Sequence, residues 1–331
     1  MPSEFDLIRR HFSPPTTHTD LAGGDDGALV RVAAGMQLVV STDMLVAGTH
    51  FFPNTDPESL GWKALAVNIS DLAAMAATPR WATLALSLPV PEEAWIAAFA
   101  RGFLACAEAF GVDLIGGDTT RGPLNLCPTV FGEVPTGHAV TRAGARPGDE
   151  LWISGQPGRA ALALTALQGA PALAEPYAAD CHAALLRPQP RLALGLALGG
   201  VASAMLDVSD GLLGDLGHIL ECSGVGARLT AETLPLQPLL AACGEPARAL
   251  QALLHGGDDY ELLFTAPPHH RATLQGISIR LGLALHPIGT ITPRSGCLSL
   301  MNQAGEETTL AATGYDHFAK IGSPPGPDNT C

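Results

Sequence analysis

Apolar positions along the first half of the chain predict alternating strands and helices. Strands are predicted at 28–32, 36–42, 81–88, 112–115 and 124–134, the first two paired through a turn at 33–35. Helices are predicted at 5–12, 57–77 and 91–110. The third helix has the clearest limits, because Pro91 stands at its start and Gly111 follows its end.

The second half repeats this alternation after the turn-rich residues 144–149, which are the best candidate for a domain boundary. Its predicted strands lie at 151–154, 203–208, 262–265 and near 288. Its predicted helices lie at 159–167, within 177–198, at 212–222 and along a stretch to 254. A last helix and a hairpin that turns at 304–305 complete the predicted domain. We therefore predict domains at 1–145 and 146–320, and a disordered tail at 321–331.

Residues 64–77 have the composition of a buried helix, yet Asp71 lies in the middle of them. A carboxylate taken out of water needs a cation, or its pKa shifts and it becomes neutral. The alternative interpretation is a capping or ion-paired aspartate, with Ser70 or Asp71 starting a second helical segment. This aspartate alone does not decide between a structural and a functional role.

Charge narrows the classes of function. The chain has 331 residues, with 18 basic against 32 acidic residues and a formal net charge of -14, which argues against nucleic acid as a partner. An acidic protein that handles phosphates would do so through metal ions. The odd number of cysteines, 7, without a CxxC pair predicts reduced thiols and a cytoplasmic protein. No secretory signal is visible and no uncharged run is long enough for a membrane span, so no membrane partner is expected.

Short Gly and Asp motifs recur where apolar segments end. Gly-Gly-Asp occurs at 23–25, 116–118 and 256–258, and the residues at 69–72 resemble those at 208–211. One Gly-Asp pair is an ordinary turn, but this repetition favours a binding function at strand ends. Glycines allow phosphate oxygens to approach the backbone, and carboxylates suit Mg²⁺. There is no P-loop, no Gly-x-Gly-x-x-Gly motif and no zinc-like cluster of His and Cys.

Taken in order, the motifs resemble the thiamine-monophosphate kinase family over about residues 5–318. They lie at 24–26, 41–51, 68–75, 116–122, 207–212, 256–261 and 314–318. The family belongs to the superfamily of aminoimidazole ribonucleotide synthetase and selenophosphate synthetase. The resemblance implies a two-domain α/β (mixed α+β) fold. In that fold the N-terminal domain binds ATP and Mg²⁺ and forms a β-barrel across a homodimer, and the C-terminal domain completes the nucleotide and substrate site.

The implied reaction is the last step of thiamine diphosphate biosynthesis, in which ATP and thiamine phosphate give thiamine diphosphate and ADP. The acceptor is itself a phosphate monoester with a second pKa near ~6, so it is largely ionised at neutral pH and needs no strong general base. Phosphoryl transfer then depends on positioning and charge neutralisation. Several Mg²⁺ ions are implied, with ATP as co-substrate and direct transfer between the two substrates.

The resemblance also assigns roles to individual residues. The magnesium positions are Asp26, Ser41, Thr42, Asp43, Asp71, Asp118, Asp207 and Asp210. The ATP positions are Gly117, Asp118, Arg142 and Ser209, with a further one at Arg101, where the family often has an aromatic residue. The thiamine-phosphate positions are His50, Asp258 (commonly Glu in the family) and Tyr315. Catalytic roles are implied for Asp43, Asp71, Asp118 and Asp210.

Two other classes of protein remain open on the sequence. One is the hydrogenase maturation factor of the same superfamily, whose chemistry uses a C-terminal cysteine, and this chain ends in Cys331. The residues before it lack that family's Pro-Arg-x-Cys ending, and 314–318 match the kinase instead. The other is a non-catalytic ATP-binding protein on the same fold, which loss of the metal positions would indicate; none is lost here.

Overall fold

A computed structural model of the chain describes residues 4–315, so the predicted tail at 321–331 lies outside the described residues. The chain divides into two compact units between Ala139 and Val140. The sequence predicted a domain limit six residues later, at 145, within the same connection. No helix in the described part of the chain is long and apolar enough to cross a membrane.

The N-terminal unit contains two long helices and a five-stranded sheet. Its helices are α1 (Glu4–His11), α2 (Pro57–Ala74) and α3 (Glu93–Phe110). Its strands are β1 (Thr19–Leu21), β2 (Leu29–Val30), β3 (Met36–Thr42), β4 (Leu45–Val46), β5 (Thr78–Leu88), β6 (Asp113–Arg121) and β7 (Asn125–Pro135). The sheet order is β3-β7-β5-β6, with β4 also paired to β7, and β1 and β2 form a separate two-stranded sheet.

The predicted strand pair 28–32 and 36–42 is wrong. Strand β3 pairs antiparallel with β7, from Met36 opposite Pro135 to Thr42 opposite Thr129, and β2 pairs with β1. The segment at 116–118 is also not a loop after a strand that ends at 115, because β6 continues through it to Arg121, parallel to β5. Within the described residues the strands form open sheets, and no closed barrel is present.

Helices α2 and α3 pack at very short range. A Cβ atom on Gly61 would lie 2.0 Å from the carbonyl oxygen of Phe99, and one on Gly102 would lie 1.8 Å from that of Glu58. Only glycine fits at either position. Helix α3 ends at Gly111 in the left-handed conformation, as predicted, whereas α2 ends at Ala74, three residues before its predicted end. The close contact holds α2 firmly against the rest of the unit.

The C-terminal unit is built on a seven-stranded mixed sheet. Its strands are β8 (Glu150–Ser154), β9 (Ala204–Asp207), β10 (Gly226–Thr230), β11 (Leu262–Ala266), β12 (Leu285–Thr292), β13 (Leu298–Met301) and β14 (Glu307–Thr309). Its helices are α4 (Arg159–Leu167), α5 (Tyr177–Leu186), α6 (Leu192–Leu198), α7 (Leu212–Ser223), α8 (Gln237–Cys243), α9 (Pro246–His255) and α10 (Arg271–Leu281). The sheet order is β14-β13-β10-β12-β8-β11-β9.

The sequence missed strand β10, which lies inside the stretch predicted as helical to 254. Leu151 and Ile153 of β8 belong to the main apolar core together with residues of α4, α7 and α9. Between them Trp152 points to the opposite face, where it stacks on Phe264 at 6.4 Å between ring centroids. Both faces of the sheet are therefore covered, as expected for strands this apolar.

The cysteines follow the predicted reduced state only in part. Free thiols are present at Cys106, Cys127, Cys181, Cys222 and Cys243. Cys297 is disulfide-bonded, contrary to the expectation that all of the thiols would be reduced.

Candidate functional site

Two side chains on one face of the buried helix α2 form hydrogen bonds with residues at the end of strand β3. The Ser41 hydroxyl donates to Oδ2 of Asp71 at 2.6 Å, and the backbone N–H of Asp43 donates to Oδ1 of Asn68 at 2.8 Å. Asn68 and Asp71 are three residues apart on the helix and share a face, so the two contacts reinforce each other. The predicted metal residues Ser41, Asp43 and Asp71 therefore belong to one rigid constellation.

Asn68 has the more demanding position of the two helix residues, because it is fully buried. Its side-chain amide donates to the carbonyl oxygen of Ala64 at 3.0 Å while its oxygen accepts from Asp43. Both ends of the amide are thus hydrogen-bonded, as a buried polar group requires. A hydrophobic residue here would leave the N–H of Asp43 without this acceptor.

Asp71 does not start a second helical segment. Helix α2 is continuous from Pro57 to Ala74, with Asp56 as the residue that caps its start. Asp71 lies in the last turn, where the negative end of the helix dipole disfavours a carboxylate. The capping interpretation is therefore wrong, and the position of Asp71 opposes helix stability.

Thr42 and His50 have contacts of their own. The Thr42 hydroxyl donates to the carbonyl oxygen of Pro128 at 2.7 Å and lies 3.0 Å from the Thr129 hydroxyl, towards β7. Nδ1 of His50 accepts from the backbone N–H of Val46 at 3.0 Å, which closes the loop after β4. Neither contact joins these residues to the Ser41 and Asp71 pair.

Asp26 and Asp118 are exposed carboxylates on other segments of the same unit. Asp26 follows β1, and Asp118 lies on β6. Next to Asp118, Gly117 has a φ of 148°, and a Cβ atom on it would lie 1.9 Å from the carbonyl oxygen of Leu84. This Gly-Asp pair therefore depends on glycine because of strand packing, independently of any ligand.

Asp113 anchors the segment that leads to β1 and Asp26. Its carboxylate accepts from the backbone N–H groups of Thr17 and His18, at 2.9 and 2.6 Å, and from the hydroxyls of Thr17 and Thr19. Burial raises the pKa of Asp113, but these hydrogen bonds outweigh it and hold the pKa below its ordinary value. Trp81 adds a hydrogen bond from Nε1 to the carbonyl oxygen of His18 at 3.0 Å.

In the C-terminal unit the motif at 207–212 forms a turn between β9 and α7. The backbone N–H groups of Ser209 and Asp210 both donate to Oδ2 of Asp215 at 3.0 Å. Burial is the main cause that raises the pKa of Asp215 to about 7, and the neighbouring Asp210 carboxylate adds to the rise. The hydrogen bonds from the N–H groups of Asp210 and Ser209 and the positive charge of Arg142 lower the pKa and oppose the rise. Asp215 thus fixes the turn that carries Ser209 and Asp210.

Two further predicted segments meet this turn. The N–H of Asp258 donates to the carbonyl oxygen of Ser209 at 2.9 Å, and the N–H of Tyr315 donates to that of Asp210 at 3.1 Å. The Tyr260 hydroxyl donates to Oδ1 of Asp258 at 3.0 Å. Tyr315 is 59% exposed, so its side chain is not part of the apolar core. The fold therefore brings Ser209, Asp210, Asp258 and Tyr315 together.

The other predicted residues lie at the margins of these groups. Asp207 ends β9 and is buried at 7% exposure. Arg142 is exposed, and its carbonyl oxygen accepts from the Ser223 hydroxyl at 3.1 Å. Arg101 forms an ion pair with Glu58 at 3.1 Å that links α3 to α2.

The predicted metal residues are not gathered into a preformed carboxylate cluster. Between residues 4 and 315, no group of three or more His, Cys, Asp or Glu side chains lies close enough to hold a metal ion. The donors that each unit presents are carboxylate and hydroxyl oxygens, which fit Mg²⁺ rather than a softer metal. Phosphate oxygens would complete the coordination of such ions.

Sequence reasoning assigned no role to Asn68, Asp215 or Tyr260. Asn68 is a fully buried amide in an otherwise apolar helix, and that pattern alone could have pointed to a specific partner. Asp215 stands in the first turn of α7, where an acidic residue is common for helix capping alone. Its contact with the preceding turn follows only from the folded backbone.

The two units match two consecutive domain models. Residues 24–134 match the N-terminal domain of AIR synthase related proteins, and residues 146–297 match their C-terminal domain. Together with the mixed sheets and the aspartate-rich turns, these matches define an AIR synthase-related protein.

Individual relatives narrow the class. The thiamine-monophosphate kinase of Escherichia coli K12 is 44% identical over 323 residues, 96% of this chain and 98% of the relative. The crystal structure of the thiamine-monophosphate kinase from Stenotrophomonas maltophilia K279a has a TM-score of 0.81 at 45% identity, covering 91% of this chain and 95% of that one. A third relative, AaThiL complexed with AMPPCP and TMP, has a TM-score of 0.75 at 29% identity, covering 95% and 96%. The chain belongs to the thiamine-monophosphate kinase family of enzymes.

Proposed function

We propose that this enzyme transfers the γ-phosphoryl group of ATP directly to thiamine phosphate, giving thiamine diphosphate and ADP. The observation that carries the proposal is the family relationship, which extends over nearly the whole of both chains. The relative solved with AMPPCP, an analogue of ATP, and TMP supports the same pair of substrates. The rival assignment to a hydrogenase maturation factor has no comparable support in sequence identity.

The phosphoryl transfer needs the protein mainly to position the two substrates. The oxygen that attacks belongs to the phosphate of the acceptor, which is largely ionised at neutral pH because its second pKa is near ~6. The obstacle is repulsion between two polyanions, on a chain whose own net charge is -14. Mg²⁺ ions supply that neutralisation when they are bound. The role of this chain is therefore to hold oxygen ligands and both substrates in a fixed arrangement.

For the N-terminal unit we propose that Asp43 and Asp71 hold Mg²⁺, with Ser41, Thr42, Asp26 and Asp118 as further ligands. The hydrogen bond from Ser41 to Asp71 and that from Asp43 to Asn68 support this, because they fix the ligands before any ion arrives. Gly117 and Asp118 would also contact ATP. Such preorganisation reduces the cost of assembling the site around its substrates.

For the C-terminal unit we propose metal contacts through Asp207 and Asp210, ATP contacts through Ser209 and Arg142, and thiamine-phosphate contacts through Asp258 and Tyr315. The shared backbone hydrogen bonds of Ser209, Asp210, Asp258 and Tyr315 support a common site. We also propose that His50 contacts thiamine phosphate. An exposed tyrosine ring suits stacking on the heteroaromatic rings of thiamine.

We further propose a homodimer in which the N-terminal sheets of two copies join into a β-barrel. Strand β3 supports this, since among the described strands it lies at the edge of its sheet, next to β7. Leu38 and Val40, which share one face of β3, are 40% and 53% exposed. An apolar edge strand exposes unpaired backbone groups that can pair with another strand, and a second copy of the chain would cover it.

The proposed reaction is tested by ADP release from purified protein with ATP and Mg²⁺, supplied with thiamine phosphate, with free thiamine or with neither. We expect release only with thiamine phosphate, because bridging ions need phosphate oxygens on both substrates. Equal turnover of free thiamine would overturn the choice of acceptor. ADP release at the same rate with or without thiamine phosphate and thiamine would favour another ATP-dependent enzyme of the fold. No ADP release would favour a non-catalytic ATP-binding protein.

Tyr315→Ala tests the proposed thiamine-phosphate contact separately from the proposed ATP contacts. We expect KM for thiamine phosphate to rise about tenfold or more, because truncating an aromatic ring at a binding site can cost ~2 kcal/mol or more. KM for ATP and the melting temperature should stay unchanged, since the ring is exposed. Phe retains the ring, so Tyr315→Phe is the matched control. A lower melting temperature with normal KM values would mean that Tyr315 has only a structural role.

A further inference from the structure

The segment from Gly256 to Glu261 has an unusual backbone. Asp258 and Tyr260 both adopt left-handed conformations, with φ of 67° and 52°. Residues with a Cβ atom avoid this region, and a bulky residue such as tyrosine does so most strongly. Such a conformation persists only where the surroundings enforce it.

The enforcing contacts come from the two carboxylates that alternate with these residues, Asp259 and Glu261. Oδ2 of Asp259 accepts from the N–H of Gly158 at 2.5 Å, and Oδ1 lies 3.4 Å from the N–H of Ala160. Asp259 therefore binds the N-terminus of helix α4, where backbone N–H groups lack partners within the helix. The favourable end of the helix dipole adds to this attachment.

Glu261 forms the second attachment and is 2% exposed. Arg191 binds it with both ends of the guanidinium, Nε to Oε2 at 2.7 Å and Nη2 to Oε1 at 2.6 Å. The Ser154 hydroxyl donates to Oε2 at 2.6 Å and the N–H of Gln156 to Oε1 at 3.2 Å. A Cβ atom on Gly155 would lie 1.9 Å from Oε1, so this carboxylate leaves no room for a side chain at position 155.

Both carboxylates thus hold the loop between β8 and α4, residues 155–158, while the left-handed residues that alternate with them, Asp258 and Tyr260, bind the turn at 208–210. The N–H of Asp258 donates to Ser209 and that of Tyr260 to the carbonyl oxygen of Val208, at 2.9 and 2.8 Å. A Cβ atom on Gly257 would lie 2.2 Å from the carbonyl oxygen of Ser209. Within this short segment, Asp259 and Glu261 therefore attach the backbone to the loop 155–158, and the alternate residues Asp258 and Tyr260 bind the turn at 208–210.

We propose that Asp259 and Glu261 are positioning residues for thiamine phosphate: they keep the segment 256–261 in its strained form, with Asp258 fixed beside Ser209 and Asp210. This assignment rests on the proposed function, because Asp258 is the member of the segment that would contact the acceptor. This role requires no contact between the two carboxylates and the substrate. They act through the backbone and through the hydrogen bond from Tyr260 to Asp258.

The variant Asp259→Ala tests the proposal with two separate readouts. In hydrogen exchange, the amides of Asp258 and Tyr260 should exchange at least about tenfold faster, because the segment opens locally once its attachment is lost. In steady-state kinetics, KM for thiamine phosphate should rise about tenfold, while KM for ATP changes by less than about twofold. Asp259→Asn keeps an oxygen acceptor for Gly158 and should restore most of both properties.

Glu261→Gln is the milder second variant, should Asp259→Ala fail to fold, and it should shift both readouts in the same direction. Arg271→Ala is the matched control: it breaks the ion pair with Glu150 at the far end of β8 and should change neither readout. Unchanged exchange in Asp259→Ala would overturn the attachment, and faster exchange with an unchanged KM for thiamine phosphate would overturn the positioning role. If the wild-type enzyme ignores thiamine phosphate, the proposed function fails, and exchange alone still reports whether the attachment exists.

Discussion

Asp71→Asn is expected to lower kcat/KM by at least about 10²-fold, roughly 3 kcal/mol of transition-state stabilisation at about 1.36 kcal/mol per decade. The asparagine oxygen can still accept from the Ser41 hydroxyl, so the local structure should persist. What is lost is one negative charge that we propose to hold Mg²⁺. ADP release measured over a range of Mg²⁺ concentrations checks the prediction.

The same variant should be as stable as the wild-type protein or slightly more so. Asp71 lies in the last turn of α2, where a negative charge opposes the helix dipole by about 0.3–1 kcal/mol. Glu108→Gln is the control, because it removes one exposed carboxylate from α3 in the same unit and should leave activity unchanged. Near-normal activity of Asp71→Asn at low Mg²⁺ would mean that Asp71 has no catalytic role.

Asp113→Ala is expected to have the largest effect on stability. The carboxylate holds Thr17, His18 and Thr19 through backbone and hydroxyl hydrogen bonds, and bonds to a charged group contribute about 1.5–3 kcal/mol each. We expect the free energy of unfolding to fall by at least ~3 kcal/mol, a large part of a typical total of about 5–15 kcal/mol. Denaturant unfolding followed by tryptophan fluorescence measures it, since Trp81 binds the same segment.

A nearby aspartate provides the control for this variant. Asp20→Ala breaks only the exposed ion pair with Arg31, which is worth about 0–1 kcal/mol. The two variants therefore remove the same chemical group from neighbouring segments at different burial. Equal losses of stability would contradict the anchoring role of Asp113.

Stability should also depend on pH through Asp113. Because the folded protein holds its pKa below the ordinary value of 3.8, the group stabilises the fold above that pH. The contribution is lost as the pH falls from 3.8 through the lower folded value. The stability difference between wild type and Asp113→Ala should shrink over this acidic range, and a constant difference would contradict the assignment.

The local elements were the most predictable part of the fold. Helix α3 could be placed because its limits depend on nearby residues, and Gly111 has the left-handed conformation that a helix end requires. The partner of β3 could not be placed, because a short turn at 33–35 favours the adjacent segment while the true partner lies far along the chain. The continuation of β6 through Gly116 and Gly117 was missed because glycine is a poor strand former, although its small size permits the close approach to β5.

The residues of the candidate site were easier to name than to assemble. Asp71 stood out from its sequence context, because a carboxylate among apolar residues calls for an explanation. Its contact with Ser41, and that of Asn68 with Asp43, depend on how α2 crosses the end of β3, which no local pattern encodes. The attachment of Asp259 and Glu261 to residues 154–160 was hidden for the same reason, since more than ninety residues separate them.

The distant pairing of β3 has a consequence for synthesis on the ribosome. Met36 pairs with Pro135, so 99 residues (135 minus 36) separate the two partners. At about 5–20 residues per second, the apolar strand waits roughly 5–20 s for β7 to be made. Until then Leu38, Val39 and Val40 have no sheet to join, and the proposed metal residues at 41–43 have no fixed place. The N-terminal half of the proposed site therefore cannot form until β7 has been made, at residue 135 of 331, and a chaperone that covers β3 in the meantime would protect an unpaired apolar strand.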